Sequence, residues 1–237
     1  MATRLAGGQS LLDRLPGREA LLEQDVRFRP RWWTARVPAS GWLDELPEDP
    51  DGREYRRISR GGVLAAADGS DDWEAWALLA AGVWSAGDRA LVASRGARAL
   101  GGTDPSALLS RLRLAAKHLG TGRGAVDAYR AMLRGGSANV KHLGPTLATT
   151  FLYVADFGAR GTVRGGDALI LDRFVVRALN DLHGWSVPED GPWTADLYAR
   201  WLDVAAEQAW LAAIELGRTV RGDEVQHAYF EHGKSLT

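Results

Sequence analysis

The sequence predicts a mainly α-helical globular fold, and three observations support this prediction. Hydrophobic residues make up 46% of the 237 residues and charged residues 25%, which is typical of a chain that buries a core. Apolar residues recur at helical spacing between capping residues and glycines. No series of alternating apolar and polar segments indicates a sheet, and only the apolar run at residues 168–171 is compatible with an extended segment.

Five helices are predicted from their start and stop signals. Asp104 followed by Pro105 is the clearest start, because aspartate caps the first backbone N–H groups and proline fits the first helical position. In the helix that follows, Leu108, Leu112 and Ala115 form one apolar face. The predicted starts are Asp71, which forms a capping-box pattern with Glu74, and Asp104, Ala125, Thr194 and Asp223. The predicted ends of the first four helices are Gly87, Gly120, Gly135 and Gly217.

Residues 1–62 differ in composition from the rest of the chain. They are rich in Arg, Pro and Asp, and they show sustained periodicity only around Leu11 and Leu15. We therefore predict a short helix and an irregular arm here, followed by a helical domain at residues 63–237. Between Arg27 and Trp33, cations are interleaved with aromatic rings. This pattern is typical of a nucleic-acid contact, but also of aromatic side chains that cover a core while the arginines stay in solvent.

Composition excludes several classes of site and partner. The chain has no cysteine, which excludes disulfides, thiolate metal sites and cysteine nucleophiles. The five histidines show no metal-ligand spacing, so we expect no metal bound by side chains. The formal net charge of -1 argues against coating of nucleic acid by bulk charge, so any DNA contact has to be local. No apolar run reaches the roughly 20 residues of a membrane helix, and we expect a cytoplasmic protein without a signal peptide.

Residues 137–157 are predicted to form a short helix, a tight turn and a second helix. Gly144 and Pro145 occupy the turn, and Leu147, Phe151 and Val154 lie on one face of the second helix. A glycine in such a turn lets the backbone approach a ligand closely, and the N-terminus of the following helix offers unpaired N–H groups. Phosphate fits this arrangement. The same residue types also occur in plain connections between helices, so both interpretations stay open.

Three stretches resemble a known family. Residues 143–156, LGPTLATTFLYVAD, and residues 169–179, LILDRFVVRAL, are similar to the helix-hairpin-helix and catalytic-aspartate segment of the bacterial 8-oxoguanine DNA glycosylase fold family. Residues 228–234, AYFEHGK, resemble the C-terminal helix of that family, and the resemblance extends over roughly residues 60–234. It implies a helical domain of the helix-hairpin-helix DNA glycosylase superfamily that excises an oxidised purine such as 8-oxoguanine.

The resemblance implies roles for three residues. Asp172 stands at the aspartate position, where a carboxylate stabilises the positive charge of an oxocarbenium-like transition state or orients water. Its place before an apolar-periodic helix also predicts an N-cap, and the two roles are compatible. Thr150 stands where the family motif has the lysine that forms a Schiff base, so we expect a monofunctional glycosylase that uses water. Lys141 is the candidate substitute amine, or else a phosphate contact or a solvated side chain.

The resemblance also implies double-stranded DNA as the partner and an association with the bacterial nucleoid. The sequence does not determine the oligomeric state, and a monomer is the default expectation. The expected contacts to DNA come from arginines beside the site and from Lys141, Leu143, Gly144 and Thr146. The arginines are Arg160, Arg164, Arg173 and Arg177. A solvated loop and a charged helix face explain these arginines equally well. We expect no cofactor, and the resemblance suggests only a monovalent cation held at the hairpin backbone. The alternative function is an inactive DNA-binding or protein-interaction module of the same fold.

Overall fold

A computed structural model describes residues 14–37, 43–65, 72–119, 124–160 and 168–236. In these residues, eleven helices pack around one apolar core beside one small sheet, which confirms the mainly α fold class. None of the described helices combines the length and the apolar character needed to span a bilayer. The strands are β1 (Asp25–Phe28), β2 (Glu48–Asp49) and β3 (Gly52–Ser59). The helices are α1 (Arg18–Glu23), α2 (Arg31–Thr34), α3 (Arg60–Ala65), α4 (Trp73–Ala86), α5 (Ala90–Gly101), α6 (Pro105–His118), α7 (Gly124–Met132), α8 (Pro145–Arg160), α9 (Arg173–His183), α10 (Ala195–Leu216) and α11 (Gly222–Ser235).

The segment before residue 62 contains a three-stranded antiparallel sheet with the order β1-β3-β2. Val26 on β1 pairs with Ile58 on β3, and Ile58 is buried. The Arg57 side chain of β3 donates hydrogen bonds to Asp25 and Asp49 on the two neighbouring strands. The prediction of an irregular arm is wrong for this part of the segment. Cross-strand ion pairs, rather than alternating apolar residues, stabilise these strands, and their sequence therefore lacks a strand pattern.

Trp33 fastens the N-terminal segment to the helices. Its indole is fully buried beside Gly82 on α4 and Gly96 on α5, where an added Cβ would lie 2.9 Å and 2.8 Å from the ring. Phe28 is also fully buried, whereas the Arg29 guanidinium is in an ion pair with β3. Aromatic side chains of this stretch therefore cover the core, which supports the second of the two interpretations of the Arg and Trp pattern.

Two predicted helix starts are confirmed by their capping hydrogen bonds. The backbone N–H of Ala107 donates to Asp104 Oδ1 at 3.0 Å, and that of Leu197 donates to Thr194 Oγ1 at 3.1 Å. Helix α10 ends as predicted at Gly217, whose positive φ of 63° favours glycine. These features depend on neighbouring residues only, so the sequence carries their signal.

Other helix starts differ from the sequence-based expectation. Helix α4 begins at Trp73, with Asp72 at the N-cap, and the predicted capping residue Asp71 lies outside the described residues. Helix α5 has no counterpart among the predicted helices. It follows Arg89 without a side-chain capping bond, and Gly96 lies inside it, so the usual sequence signals of a helix are weak.

Asp223 is not the cap of α11, as the sequence predicts, but a buried ion-pair partner. It is the second residue of the helix, and its carboxylate accepts hydrogen bonds from Arg18 at 2.5 Å and from the Tyr153 hydroxyl at 3.1 Å. Burial alone would raise the pKa of Asp223, but the charges of Arg18 and Arg221 outweigh burial and lower that pKa. The prediction is wrong because these partners come from distant parts of the chain.

Residues 168–172 connect α8 to α9 and form no strand. Side chains hold this apolar run in place. The backbone N–H of Ala168 donates to the Asp156 carboxylate at 3.0 Å, and that of Leu169 donates to the Tyr198 hydroxyl at 3.1 Å. Because these bonds fix the connection, they also fix where Asp172 enters α9.

Candidate functional site

A cleft of about 960 Å³ opens beside the start of α9. Its described wall includes residues of β1, α3, α4, α5 and α11 and of the first turns of α8 and α9. The volume lies at the upper end of the range for small-molecule pockets, about 300–1,000 Å³. The residues of the sequence-based prediction that line this cleft are Gly144, Thr146, Thr150, Asp172 and Arg173.

Asp172 caps α9 and borders the cleft at the same time. Its Oδ1 accepts hydrogen bonds from the backbone N–H groups of Phe174 and Val175, both at 2.9 Å. No described residue donates a hydrogen bond to Oδ2, which leaves this oxygen for a ligand or water. Burial raises the pKa of Asp172, although the two backbone hydrogen bonds and the charges of Arg89 and Arg173 act against it. The capping role predicted from the sequence is confirmed, and the carboxylate stands at a cavity.

Thr150 lies in the cleft wall on α8, with its hydroxyl already engaged. The hydroxyl donates to the carbonyl of Thr146 at 2.8 Å, and Thr150 Oγ1 accepts a hydrogen bond from Ser85 at 3.1 Å. The side chain is buried. The position that the resemblance assigns to the family lysine therefore faces the cleft, but the group present there is a hydroxyl that cannot form a Schiff base.

The described cleft wall contains Lys234 but not Lys141. Lys141 is exposed, and the neighbouring residue that does line the cleft is His142, with a positive φ of 67°. Lys234 projects from α11, with Nζ 3.7 Å from Glu231. Lys234 is the last residue of the family-like stretch 228–234, but the sequence-based prediction gave it no role in the site. Lys234 and Asp172 thus line the same cleft.

Arg173 and Arg177 occupy different environments. Arg173 is exposed and lines the cleft directly beside Asp172. Arg177 does not line the described cleft wall, since its guanidinium donates to Glu189 at 2.6 Å and to the carbonyl of Gly233 at 3.4 Å. Arg164 and the side chain of Arg160 lie outside the described residues. Arg173 is therefore available at the cleft, whereas Arg177 is engaged in contacts within the fold.

The first half of the predicted helix-hairpin-helix segment differs from the sequence-based prediction. Residues 137–144 contain turns rather than a short helix, and the helix that precedes α8 is α7, which ends at Met132. The carbonyl of Gly144 accepts the first helical hydrogen bond of α8, from Ala148 at 3.0 Å. Gly144 and Thr146 line the cleft, whereas Leu143 packs against the core. The N-terminus of α8, whose first N–H groups have no partner within the helix, therefore forms part of the cleft wall.

A polar and aromatic group, which we call the Arg60 cluster, forms another part of the cleft wall. The Arg60 cluster comprises Gln24, Arg60, Trp84, Gln226 and His227. The Arg60 guanidinium is 2% exposed, lies 4.8 Å from the centre of the Trp84 ring and donates to Gln24 at 3.2 Å. Arg60 Nε and Trp84 Nε1 are buried without a hydrogen-bond partner among the described residues. Burial and the charge of Arg60 lower the pKa of His227, so this imidazole is neutral near pH 7.

The Arg60 cluster has no local sequence signal, because its members are separated by up to about two hundred positions. The two glutamine amides and the His227 imidazole of the cluster line the cleft and carry both hydrogen-bond donors and acceptors. In the described part of the chain, no group of three or more His, Cys, Asp or Glu side chains is arranged to hold a metal ion.

Two further arginines that sequence reasoning missed stand at the cleft. Arg89 and Arg95 are exposed and line it from the side of α5. Arg89 is anchored by hydrogen bonds to the carbonyls of Ser85 and Ala86, and its charge acts on Asp172. With Arg173 they form a group of three exposed arginines at the cleft, which we call the cationic rim, although the described cleft wall also contains six acidic side chains, Asp172 among them. Such a rim is suited to the phosphates on either side of one nucleotide.

Comparison with known proteins identifies the family. A family model described as "Putative 8-oxoguanine DNA glycosylase OGG-like protein" matches residues 19–230. No curated protein and no solved structure matches the chain. The matched range includes the β1-β3-β2 sheet, the start of α8, Asp172 and most of α11, and thus nearly the whole of the described cleft wall. The chain therefore belongs to the 8-oxoguanine DNA glycosylase OGG-like family.

Proposed function

We propose that this protein is a monofunctional DNA glycosylase that removes an oxidised purine from double-stranded DNA. The observation that carries the proposal is the position of Asp172, which is fixed by its cap at the start of α9 and borders a cleft of about 960 Å³. Membership in a DNA glycosylase-like family supports the reaction class. The hydroxyl of Thr150 in place of an amine supports hydrolysis without strand cleavage.

In the proposed reaction, the damaged nucleotide leaves the helix and its base enters the cleft. The bond between C1′ and the base nitrogen breaks, and the electron pair leaves with the base. The ionised carboxylate of Asp172 stabilises the positive charge that develops on the sugar. The oxygen of a water molecule then bonds to C1′, and a water proton neutralises the departing base. The products are a free base and an abasic site.

The Arg60 cluster is the proposed binding site for the everted base. Oxidised purines carry carbonyl oxygens and ring N–H groups, and the side-chain amides of Gln24 and Gln226 in the cleft wall carry both donors and acceptors for them. The neutral imidazole of His227 adds a donor and an acceptor without adding charge. The cationic rim of Arg89, Arg95 and Arg173 is the proposed contact to the backbone phosphates, together with N–H groups at the start of α8.

The direct test is a single-turnover assay on duplex DNA that contains one 8-oxoguanine, with and without borohydride. We expect release of the base and no covalent adduct. A trapped adduct would contradict the monofunctional mechanism, and comparison of Lys234→Ala with Lys141→Ala would then identify the amine. Tight binding of the lesion duplex without release would support the alternative, an inactive DNA-binding module, for which the absence of a lysine at Thr150 is the favouring observation.

The proposed phosphate contact predicts a difference between two arginines of the same helix. Arg173→Ala should decrease the slope of log K against log salt by about 1, because one phosphate contact is lost. Arg177→Ala is the matched control and should leave the slope unchanged, since Arg177 is engaged with Glu189. Fluorescence anisotropy of a labelled duplex at several salt concentrations measures both slopes. Equal slopes for the wild type and Arg173→Ala would remove Arg173 from the footprint.

A further inference from the structure

Thr149 is a buried polar residue beside an apolar stretch of α8. Its side chain is fully buried, and residues 151–155, which follow shortly after it, all belong to the apolar core. Thr149 does not line the described cleft wall. A buried hydroxyl is unfavourable unless it is hydrogen-bonded. The contacts of this hydroxyl therefore decide why the position holds threonine and not valine.

The partner of the Thr149 hydroxyl is Leu171, which directly precedes Asp172. The backbone N–H of Leu171 donates to Thr149 Oγ1 at 3.1 Å, and the carbonyl oxygen of Leu171 lies 3.2 Å from the same atom. The carbonyl oxygens of Pro145 and Thr146, in the first turn of α8, lie at 3.2 Å and 3.1 Å. The hydroxyl has one proton, so it accepts from the N–H group and donates to one of these carbonyls at a time.

The connection between α8 and α9 depends on such side-chain contacts. Residues 168–172 form neither a helix nor a strand, so their backbone groups need hydrogen-bond partners from elsewhere in the fold. Asp156 and Tyr198 hold the first two residues of this connection. Thr149 holds the fourth, Leu171, which is next to the residue that caps α9.

The position of the Asp172 carboxylate depends on how the chain enters α9. Asp172 has an extended backbone, with φ of -131° and ψ of 177°, and its Oδ1 accepts two capping hydrogen bonds of 2.9 Å from the helix. The residue before it is bonded to α8, so the Thr149 hydroxyl ties the start of α9 to a separate helix. Loss of this tie would allow the connection to move and would displace the carboxylate relative to the cleft.

We propose that Thr149 is a positioning residue for Asp172: its hydroxyl holds Leu171 and thereby sets the place of the carboxylate at the cleft. This inference rests on the proposed function, because it concerns the group to which that function assigns the stabilisation of the sugar cation. Thr149 acts through the backbone and does not touch the everted nucleotide. Serine should therefore replace threonine at this position, whereas valine, which has the same shape but no hydroxyl, should not.

The test compares Thr149→Val with Thr149→Ser and with a matched control, Thr194→Val. The Thr194 hydroxyl also accepts one backbone N–H bond, from Leu197 at 3.1 Å, but it caps α10 and lies outside the described cleft wall. Single-turnover excision gives the maximal rate and the protein concentration at half of that rate. Urea unfolding shows that each variant is folded under the conditions of the assay. If Thr149→Val does not fold, Thr149→Ala compared with Thr149→Ser isolates the hydroxyl in the same way.

We expect a loss of rate without a loss of binding. Thr149→Val should lower the maximal rate by about tenfold or more, because a displacement of about 1 Å can cost about 10²-fold. The half-saturating concentration should change by less than about threefold, since the contacts to DNA remain. Thr149→Ser and Thr194→Val should both stay within about threefold of the wild-type rate.

The second readout is hydrogen exchange of three backbone N–H groups, those of Leu171, Phe174 and Val175, and it does not depend on catalysis. In Thr149→Val, Leu171 should exchange faster because it loses its acceptor. Phe174 and Val175 should exchange about tenfold faster or more, since their cap on α9 loosens. In Thr194→Val these three groups should exchange as in the wild type.

The outcomes separate this inference from the proposed function. If the wild type excises the lesion, an unchanged rate or unchanged exchange of Phe174 and Val175 in Thr149→Val would refute the positioning role and leave the proposed function standing. An equal loss of rate in Thr194→Val, or no recovery in Thr149→Ser, would also overturn it, because stability or shape would then explain the loss. If the wild type excises no base, the proposed catalysis fails and hydrogen exchange alone decides. Faster exchange at the cap in Thr149→Val alone would support the positioning role, and unchanged exchange would refute it.

Discussion

Replacing Asp172 by asparagine is expected to decrease the single-turnover rate of base excision by about 10³-fold while DNA binding persists. The amide keeps the size of the side chain, and its oxygen can still accept the capping bonds from Phe174 and Val175. What it loses is the negative charge that stabilises the cationic sugar. Asp190→Asn is the matched control, because Asp190 also borders the cleft but does not cap α9. A rate within about threefold of the wild type in Asp172→Asn would show that this charge does not contribute to catalysis.

The stability of the same variant provides an independent check. Because burial raises the pKa of Asp172, the folded protein binds a proton at this site more tightly than the unfolded chain does. The favourable contribution of the protonated carboxyl is fully present below the ordinary pKa of aspartate, about 4, and is lost as the pH increases through the raised pKa. At pH 7 the ionised wild-type residue therefore destabilises the fold, and Asp172→Asn should have an equal or higher free energy of unfolding. Urea unfolding in a series from pH 7 down to about pH 4, the ordinary pKa of aspartate, should show this advantage decreasing as Asp172 of the wild type becomes protonated.

Gly233→Ala is expected to cause the largest loss of stability. Gly233 lies where α11 crosses the start of α9, and an added Cβ would lie 1.9 Å from the carbonyl oxygen of Phe174 and 2.6 Å from its carbon. These atoms are backbone, so the clash is relieved only if one helix moves. We expect a loss of about 3 kcal/mol or more in the free energy of unfolding, measured by urea or thermal denaturation. Gly17→Ala is the control, since its added Cβ would meet nothing within 4 Å.

The same substitution should also affect excision in the protein that remains folded. Phe174 donates one of the two N–H groups that hold Asp172, and the Gly233 carbonyl accepts a bond from Arg177. A displacement of α9 would therefore move the carboxylate relative to the cleft. If Gly233→Ala unfolds at the same denaturant concentration as Gly17→Ala, the contact between α9 and α11 at Gly233 does not contribute to stability. The position of Asp172 would then need another explanation.

The parts of the fold that depend on neighbouring residues could be predicted from the sequence. Asp104, Thr194 and Asp172 each accept hydrogen bonds from backbone groups two or three positions later, so a polar residue before an apolar-periodic segment is sufficient to find them. The same reasoning fails for Asp223, whose partner Arg18 is 205 positions away. An aspartate near a helix start therefore looks the same in the sequence whether it caps the helix, as Asp172 does, or forms a buried ion pair, as Asp223 does.

The β1-β3-β2 sheet and α5 could not be predicted, for two physical reasons. The strands are stabilised by hydrogen bonds of Arg57 to Asp25 and Asp49. In the sequence, such charged residues are typical of a polar loop. Helix α5 contains Gly96, which looks like a helix breaker until the fold places the Trp33 ring against it. In both cases tertiary contacts decide the structure, and a single sequence does not reveal them.

The candidate site was predictable in part. The segment around Thr150 and Asp172 is continuous enough in sequence to be found, and the structure places both at one cleft. The Arg60 cluster and Arg89 were missed, because a buried arginine and a solvated arginine look alike until burial is known. The lysine of the cleft was also missed, since Lys234 lies beyond the motif that drew attention to Lys141.

The pH dependence of the single-turnover excision rate tests the central claim most directly. If the ionised carboxylate of Asp172 is the group that stabilises the sugar cation, the rate increases with pH, and the midpoint lies above about 4, the ordinary pKa of aspartate, because burial raises the pKa of Asp172. In Asp172→Asn this acid limb should disappear together with most of the rate. A wild-type rate that does not change between about pH 4 and pH 8, or an unchanged acid limb in Asp172→Asn, would contradict the account.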